Sequence, residues 1–402
     1  MKTIFLSLFF CCASVAIIHA QHDEISYSKE DDKFTLKVKN SSEQLSLTIK
    51  GDIKLGDDDK SIAQLSSNGS VYYRNKKQTL EIENDGHGNL LYTINDNKRS
   101  SLSEEDKAFI EDFVRLLINY GVDADNRVKR IFAQKGTSGV LNEVGRFESD
   151  YVREIYLSYL LKQQKLSKDE MIVLLDKIDQ YLTSDYYKAE LLDDVMSSFL
   201  SEESASEAYL KVVSNMTSDY YQTNTVNRIL HTTVNEKQFN QVLAIVKNME
   251  SDYYQAEVLR MLLNNNEISD ERFADVMKIA GNMSSDYYKA EIITTSLKNK
   301  SLNSDRYSQT IAAMQNMTSD YYQYNILASL VDEDIKDESA WGALIEYAGK
   351  IHSDYYEAEL LLLIADKMPA TESLKKKLTE AAKNISSDDY YGKVIRAVEK
   401  RA

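Results

Sequence analysis

One phrase constrains what this chain can fold into more than any other. Ser184-Asp185-Tyr186-Tyr187-Lys188-Ala189-Glu190-Leu191-Leu192 returns with its aromatic pair at Tyr220-Tyr221, Tyr253-Tyr254, Tyr287-Tyr288, Tyr321-Tyr322, Tyr355-Tyr356 and Tyr390-Tyr391, one copy every 33 to 35 residues. A degenerate first copy reads Ser149-Asp150-Tyr151-Val152. A fixed period of this size marks a solenoid, in which each repeat buries its apolar face only against its neighbours. The expected fold is mostly α: a right-handed α-solenoid of ~34-residue helix pairs preceded by a small antiparallel β domain.

Each repeat divides into two helices. The first carries apolar residues at i, i+3, i+4, i+7 and i+10, as in Phe239, Val242, Leu243, Val246, Met249 and in Trp341, Leu344, Ile345, Ala348, Ile351. The single tryptophan thus takes the place of Phe239, Phe273 and Tyr307 and reads as core. The second helix opens at the Ser-Asp pair. Ser or Asp there is expected to cap the helix by accepting from an orphan backbone N–H, with the Asp charge favoured by the helix dipole. The second tyrosine of each pair shares the inward stripe, Tyr254 lying above Val258 and Leu262, while the first is rotated by about 100° toward the neighbouring repeat. Ala189, Ala256, Ala290 and Ala358 permit close helix approach, and Thr223 and Tyr324 interrupt that pattern, which predicts uneven spacing.

Before the repeats the period changes to two. Phe34-Thr35-Leu36-Lys37-Val38, Leu45-Ser46-Leu47-Thr48-Ile49, Leu80-Glu81-Ile82 and Leu90, Tyr92, Ile94 alternate, separated by Gly51-Asp52, Asn68-Gly69 and Asp85-Gly86-His87-Gly88. Asp57-Asp58-Asp59 reads as a solvated acidic turn, without the spaced ligands and closing Glu of a calcium loop. Ser103 then opens a helix in a capping-box pattern whose stripe is Phe109, Ile110, Phe113, Leu116 and Leu117 and which stops at Gly121. Gly136-Thr137-Ser138-Gly139 reads as a turn between helices.

The first residues read as a cleaved secretory leader: Lys2, an apolar run from Ile4 to Ile18 too short to span a bilayer, and a small residue at Ala20. Both cysteines, Cys11 and Cys12, lie inside it, so the processed chain has neither disulfide nor thiolate chemistry. The organisation expected is leader 1–20, β domain 21–100, helical adaptor 101–148 and a solenoid of about seven helix pairs over 149–402. The product is placed in the periplasm or outside the cell. A formal net charge of −16 argues against nucleic acid and anionic lipid and toward a basic partner or simple solubility.

No catalytic constellation emerges. His22, His87, His231 and His352 have no zinc-ligand spacing, and the acids are too many and too regular to nominate a dyad. No cofactor, metal or enzymatic activity is expected. The candidate surface is instead a ladder of first tyrosines and acids, which stacking would set along one edge: Tyr186, Tyr220, Tyr253, Tyr287, Tyr321 and Tyr355 with Asp219, Asp252, Asp286, Asp320, Glu257, Glu291 and Glu359. Such an edge could grip a protein or an extended, cationic peptide. The alternative for the same residues is that they only pack and cap. Asn215, Asn282 and Asn316 head Asn-Met-Thr or Asn-Met-Ser triplets, which the repeated inter-helix turn explains without glycans.

Gly51-Asp52-Ile53 with Asp57-Asp58-Asp59, Leu65-Ser66, Gly69, Arg127-Val128-Lys129-Arg130-Ile131, Ser149-Asp150-Tyr151-Val152-Arg153 and the Ser-Asp-Tyr repeats together resemble the extracytoplasmic C-terminal region of bacterial membrane-bound zinc metallopeptidases of the antibiotic-sensor type. The likeness covers most of the processed chain. The catalytic membrane portion and its zinc motif have no counterpart here, so no peptidase residue carries over. What the resemblance implies is a stand-alone envelope module for sensing or interaction. The repeats are also similar to tetratricopeptide and HEAT-type helix pairs. The alternatives to such a non-catalytic binding module are a structural or adhesive envelope component and a hydrolase or glycan-binding protein.

Overall fold

A computed structural model describes residues 16–400 apart from 21–22, 31–32, 40–43, 200–202, 232–233, 266–267, 298–302, 332–334 and 336. The chain forms two compact units, Met1–Phe199 and Leu200–Ala402. Most of the expected leader lies outside the described residues. Its last five, Ala16–Ala20, form strand β1, paired antiparallel with β2 (Asp23–Glu30).

The first unit holds an antiparallel meander. After β1 and β2 come β3 (Lys33–Lys39), β4 (Gln44–Lys50), β7 (Ser70–Asn75), β8 (Thr79–Asn84), β9 (Leu90–Ile94) and β10 (Asn97–Arg99), each paired with the next. A separate hairpin, β5 (Ile53–Leu55) with β6 (Ile62–Leu65), is inserted between β4 and β7. Period-two alternation places Leu45, Leu47, Ile49, Val71, Tyr73, Leu80, Ile82 and Ile94 on one buried face. The register sets Leu47 opposite Tyr73, and Tyr73 opposite Leu80. Asn95 and Asp96 both take positive φ, as a two-residue hairpin turn between β9 and β10 requires.

Helix α1 (Glu104–Asn119) covers that face. Ser103 Oγ accepts from the Asp106 N–H, and Asp106 accepts from the Ser103 N–H in return. Phe113 and Phe109 meet the Tyr73 ring at 4.9 and 6.2 Å. Helix α2 (Ala124–Val144) is kinked at Gly136, whose φ of 63° opens the predicted turn within one continuous element.

The acidic turn is not simply solvated. Asp59 accepts from Arg127 Nε and Nη2 at 3.0 and 2.8 Å and from Arg130 Nη2 at 2.6 Å, and Arg127 also bonds Glu143 and the Tyr156 hydroxyl. A buried guanidinium needs such a full set of acceptors, so this turn docks the hairpin on α2. Three further helices complete the unit: α3 (Asp150–Gln163), α4 (Lys168–Tyr181) and α5 (Asp185–Phe199).

The second unit is a helical repeat array. The first helices of its pairs are α6 (Glu203–Ser214), α8 (Glu236–Asn248), α10 (Asp270–Asn282), α12 (Ser304–Met314), α14 (Glu338–Ala348) and α16 (Glu372–Ala382). The second helices are α7 (Asp219–Leu230), α9 (Asp252–Asn265), α11 (Asp286–Leu297), α13 (Asp320–Val331), α15 (Asp354–Lys367) and α17 (Asp388–Glu399). Each helix stacks on its counterpart one repeat away, giving two parallel rows. Phe239, Phe273, Tyr307 and Trp341 are all buried at the same place in the first row, as the 34-residue spacing requires. Arg272 lies over the Phe239 ring at 4.4 Å and Arg306 over Phe273 at 5.1 Å, tying successive repeats through cation–π contacts. No helix among the described residues is long and apolar enough to cross a membrane.

Candidate functional site

The two helix rows begin in different ways. In the first row Asn235, Ser269, Asn303 and Thr371 cap their own helices by accepting from the N–H three residues on. In the second row the serines before the phrase do not: Ser149, Ser218, Ser353 and Ser387 make no side-chain cap bond. The aspartate that follows is the first helical residue. A helical side chain leans toward the N-terminus, so this carboxylate projects beyond its own helix and meets the turn of the next repeat.

That contact is repeated almost unchanged. Asp219 accepts from the N–H groups of Glu250 and Ser251, Asp252 from Ser284 and Ser285, Asp286 from Thr318 and Ser319, and Asp320 from His352 and Ser353. Asp354 does the same for Ser386 and Ser387, and Asp150 for Thr183 and Ser184 within the first unit. The expected cap within a repeat is thus a clamp between repeats. Four of the acids placed in the candidate ladder are committed to it.

In three phrases a glutamine after the tyrosine pair closes the turn behind it. Gln222 Nε2 donates to the carbonyls of Val213 and Met216, Gln255 to Val246 and Met249, and Gln323 to Met317. Its only sequence signal was a polar residue recurring inside an apolar stripe. Glu357 stands at this place in the sixth phrase, 1% exposed, with Oε1 buried and without a partner. Burial, aided by the Asp354 carboxylate, pushes its acid up to about 7.

The tyrosines form a continuous row. Within pairs the rings meet edge to face at 4.9 to 5.1 Å. Each first tyrosine also meets the second tyrosine of the next repeat: Tyr220 with Tyr254 at 6.3 Å, Tyr253 with Tyr288 at 5.9, Tyr287 with Tyr322 at 6.0 and Tyr321 with Tyr356 at 6.0. The even distances correct the uneven spacing expected from Thr223 and Tyr324; the larger ring of Tyr324 instead stacks on Tyr356 at 5.6 Å. Tyr254 and its equivalents in the second unit are half-buried between two neighbouring rings and do not join the core of Val258 and Leu262. Among the described residues, Tyr187, in the first unit, is the one second tyrosine enclosed as expected.

Tyr355 meets Tyr390 at 6.1 Å, so Tyr390 is the second tyrosine of the last phrase and Asp389 fills the place of the first. Tyr391 is therefore out of the row. Tyr220, Tyr253, Tyr287, Tyr321 and Tyr355 each keep 47% to 52% of their surface exposed. Their hydroxyls have no hydrogen-bond partner among the described residues. Tyr186 belongs to the first unit, where it packs on Tyr187 at 5.0 Å.

The glutamates are less alike. Glu257 and Glu291 share Arg260, which bonds the first closely and reaches the second at 3.2 Å. Glu359 is half-buried, close enough to Lys393 to add to the attraction of Asp389. The row is thus aromatic and phenolic more than anionic. A hollow of about 390 Å³ opens beside Tyr220, Tyr254, Gln222 and Glu250. A larger cavity lies in the first unit, where Tyr186 is the one residue of the candidate ladder among its lining.

No known family model matches the chain, and no curated protein matches it. Among solved structures, one similar chain comes from work on the computational design of self-assembling cyclic protein homo-oligomers. It is 14% identical, with 72% of this chain and 97% of that one covered and a TM-score of 0.12.

Proposed function

We propose that the chain is a non-catalytic interaction module that docks a protein or peptide along the tyrosine row of its helical repeats. The observation that carries this is the row itself: five equivalent tyrosines, half exposed, with hydroxyls that have no hydrogen-bond partner among the described residues. Tyrosine offers a large amphipathic surface at low conformational cost, which suits it to recognition surfaces. Ring edges alone serve the packing between repeats; the remaining faces and the hydroxyls are surplus to it. A formal net charge of −16 favours a basic partner through long-range steering, although the ladder aspartates are themselves engaged. The leader-like run and the resemblance to envelope sensor regions support placing this activity outside the cytoplasm.

Selection of peptides from a random display library on the intact chain tests the reading. Binding should fall at least tenfold in a Tyr253→Phe, Tyr287→Phe, Tyr321→Phe triple variant, which keeps every ring contact and removes three hydroxyls. Peptides that bind this variant and its Tyr→Ser counterpart as tightly as the wild type would sink it. A second reading, a structural envelope component, is favoured by the clamps and ring contacts that bind repeat to repeat. It predicts no selected peptide at all.

A further inference from the structure

A cleft of about 940 Å³ opens in the first unit, bordered by strand residues such as Phe34, by the start of α2, and by facing sides of α3 and α5. That volume falls within the range of small-ligand sites. Its helical wall carries two carboxylates, Glu154 on α3 and Glu190 on α5. Neither has an ion-pair partner among the described residues, and the Glu190 carboxylate raises the cost of charging Glu154. Lys162, which also lines the cleft, is turned to Asp194 at 3.5 Å.

A second observation is independent of the acids. The Tyr187 ring lines the same cleft and is 5% exposed, and its hydroxyl is buried without a hydrogen-bond partner. A buried phenol left unbonded is costly, and a ligand group supplied from the cleft would relieve that cost. Tyr151 and Tyr186 add aromatic walls, their rings lying 6.4 and 5.0 Å from Tyr187.

The described residues bring together no group of three metal-ligating side chains, here or elsewhere. Two uncompensated carboxylates beside aromatic rings suit a larger, softer cation. We propose that this cleft is a binding site for an organic ammonium group, held between Glu154 and Glu190 with the Tyr187 hydroxyl as acceptor and Tyr151 and Tyr186 as walls. The group can belong to a free alkylamine or to a lysine side chain presented by a peptide. The site is separate from the tyrosine row of the second unit and does not rest on its role.

The Glu154 acid supports this, since burial, with help from Asp194 and Glu190 and against Lys162, pushes it up to about 7. The other charged groups around the cleft are Lys33, Asp52 and Lys54 from the strands and Asp123 and Asp125 from α2. Asp123 is held by the Leu55 N–H, and Asp125 by Lys129.

Isothermal titration of the full chain at pH 8 with 1,5-diaminopentane, and separately with the peptide Gly-Lys-Gly, tests the site. One or both probes should bind one to one, at least tenfold more weakly to Glu154→Gln and to Glu190→Gln, and unchanged to Glu105→Gln on the far surface of α1. Tighter binding of the peptide identifies a presented lysine, and tighter binding of the diamine a free amine. Both glutamine variants remove like-charge repulsion, so their melting temperatures should equal or exceed the wild type, which separates loss of the site from loss of the fold. Absence of binding by both probes at millimolar concentration, or equal binding by both variants, overturns the proposal.

Discussion

Asp252 begins helix α9, yet its carboxylate is bonded to the following repeat, where Oδ2 accepts from the backbone N–H of Ser285 at 2.7 Å. The neighbouring Ser284 N–H reaches the same oxygen at 2.8 Å. One charged acceptor thus satisfies two donors at the start of the next second-row helix, and the helix boundary of one repeat is set by the repeat before it. In a solenoid the couplings between neighbours decide cooperativity. Here that coupling is both polar, through the aspartates, and aromatic, through the tyrosines.

Removing this acceptor should weaken the array at its joint. Asp252→Ala is expected to cost about 2 kcal/mol, since two N–H groups lose a charged acceptor but one of them regains water. Asp252→Asn keeps an acceptor and should cost about half as much. Chemical denaturation of both variants checks the order, and equal costs would assign the effect to charge at the helix start alone.

The tyrosine row separates ring from hydroxyl. Tyr287→Ala loses edge contacts with Tyr288 and Tyr322 and should cost about 2 kcal/mol. Tyr287→Phe should lie within about 0.5 kcal/mol of the wild type, because its hydroxyl has no hydrogen-bond partner among the described residues. A phenylalanine variant as unstable as the alanine one would show that the hydroxyl is part of the packing.

Glu357 makes stability depend on pH. Its folded-state acid lies at about 7 against an ordinary 4.5, so the folded chain holds the extra proton. The sign follows: the stabilisation is full below the ordinary value and is lost as pH rises from 4.5 through 7. Glu357→Gln restores the amide found at Gln222, Gln255 and Gln323, placed to donate to the Ile351 and Ala348 carbonyls. The variant should exceed the wild type at pH 8 by on the order of 2–3 kcal/mol, with the gap closing toward acid. A gap independent of pH in thermal melts would contradict this.

In the first unit Arg127 is the joint between hairpin and helix. Arg127→Ala leaves Asp59 with Arg130 alone and Glu143 with the exposed Arg146 alone, and should cost about 3 kcal/mol, the low end for a buried pair. Urea unfolding measures it, and a loss below about 1 kcal/mol would mean that the ion pairs contribute no more than surface pairs do.

The helix pairs and the meander were legible because period is a local property. Phe239, Phe273 and Trp341 announce a buried stripe, and Leu45, Leu47 and Ile49 a one-sided strand, without reference to anything distant. The Asp252 clamp was not legible, since its donors lie 32 and 33 residues away and a cap within the phrase explained the same serine and aspartate equally well. The last phrase misled by one residue: Tyr390-Tyr391 continues the spelling, whereas packing continues the period and selects Asp389-Tyr390. The salt bridges of Asp59 and the cleft of Glu154 and Tyr187 depend on elements meeting across the first unit, which no spacing encodes. Of the candidate ladder, the tyrosines of the second unit do share one row, while its aspartates are taken up by the backbone.

Exposed faces of the tyrosine row that dock a partner should crosslink to it. The most direct test is photocrosslinking in the native host, with p-benzoylphenylalanine replacing Tyr253, Tyr287 or Tyr321 one at a time, and Lys247 or Lys278 on the first-row helices as controls. The same adduct is expected from all three tyrosine positions and none from the two lysines. Adducts from the lysine positions alone, or no adduct from any tyrosine position, would contradict docking there.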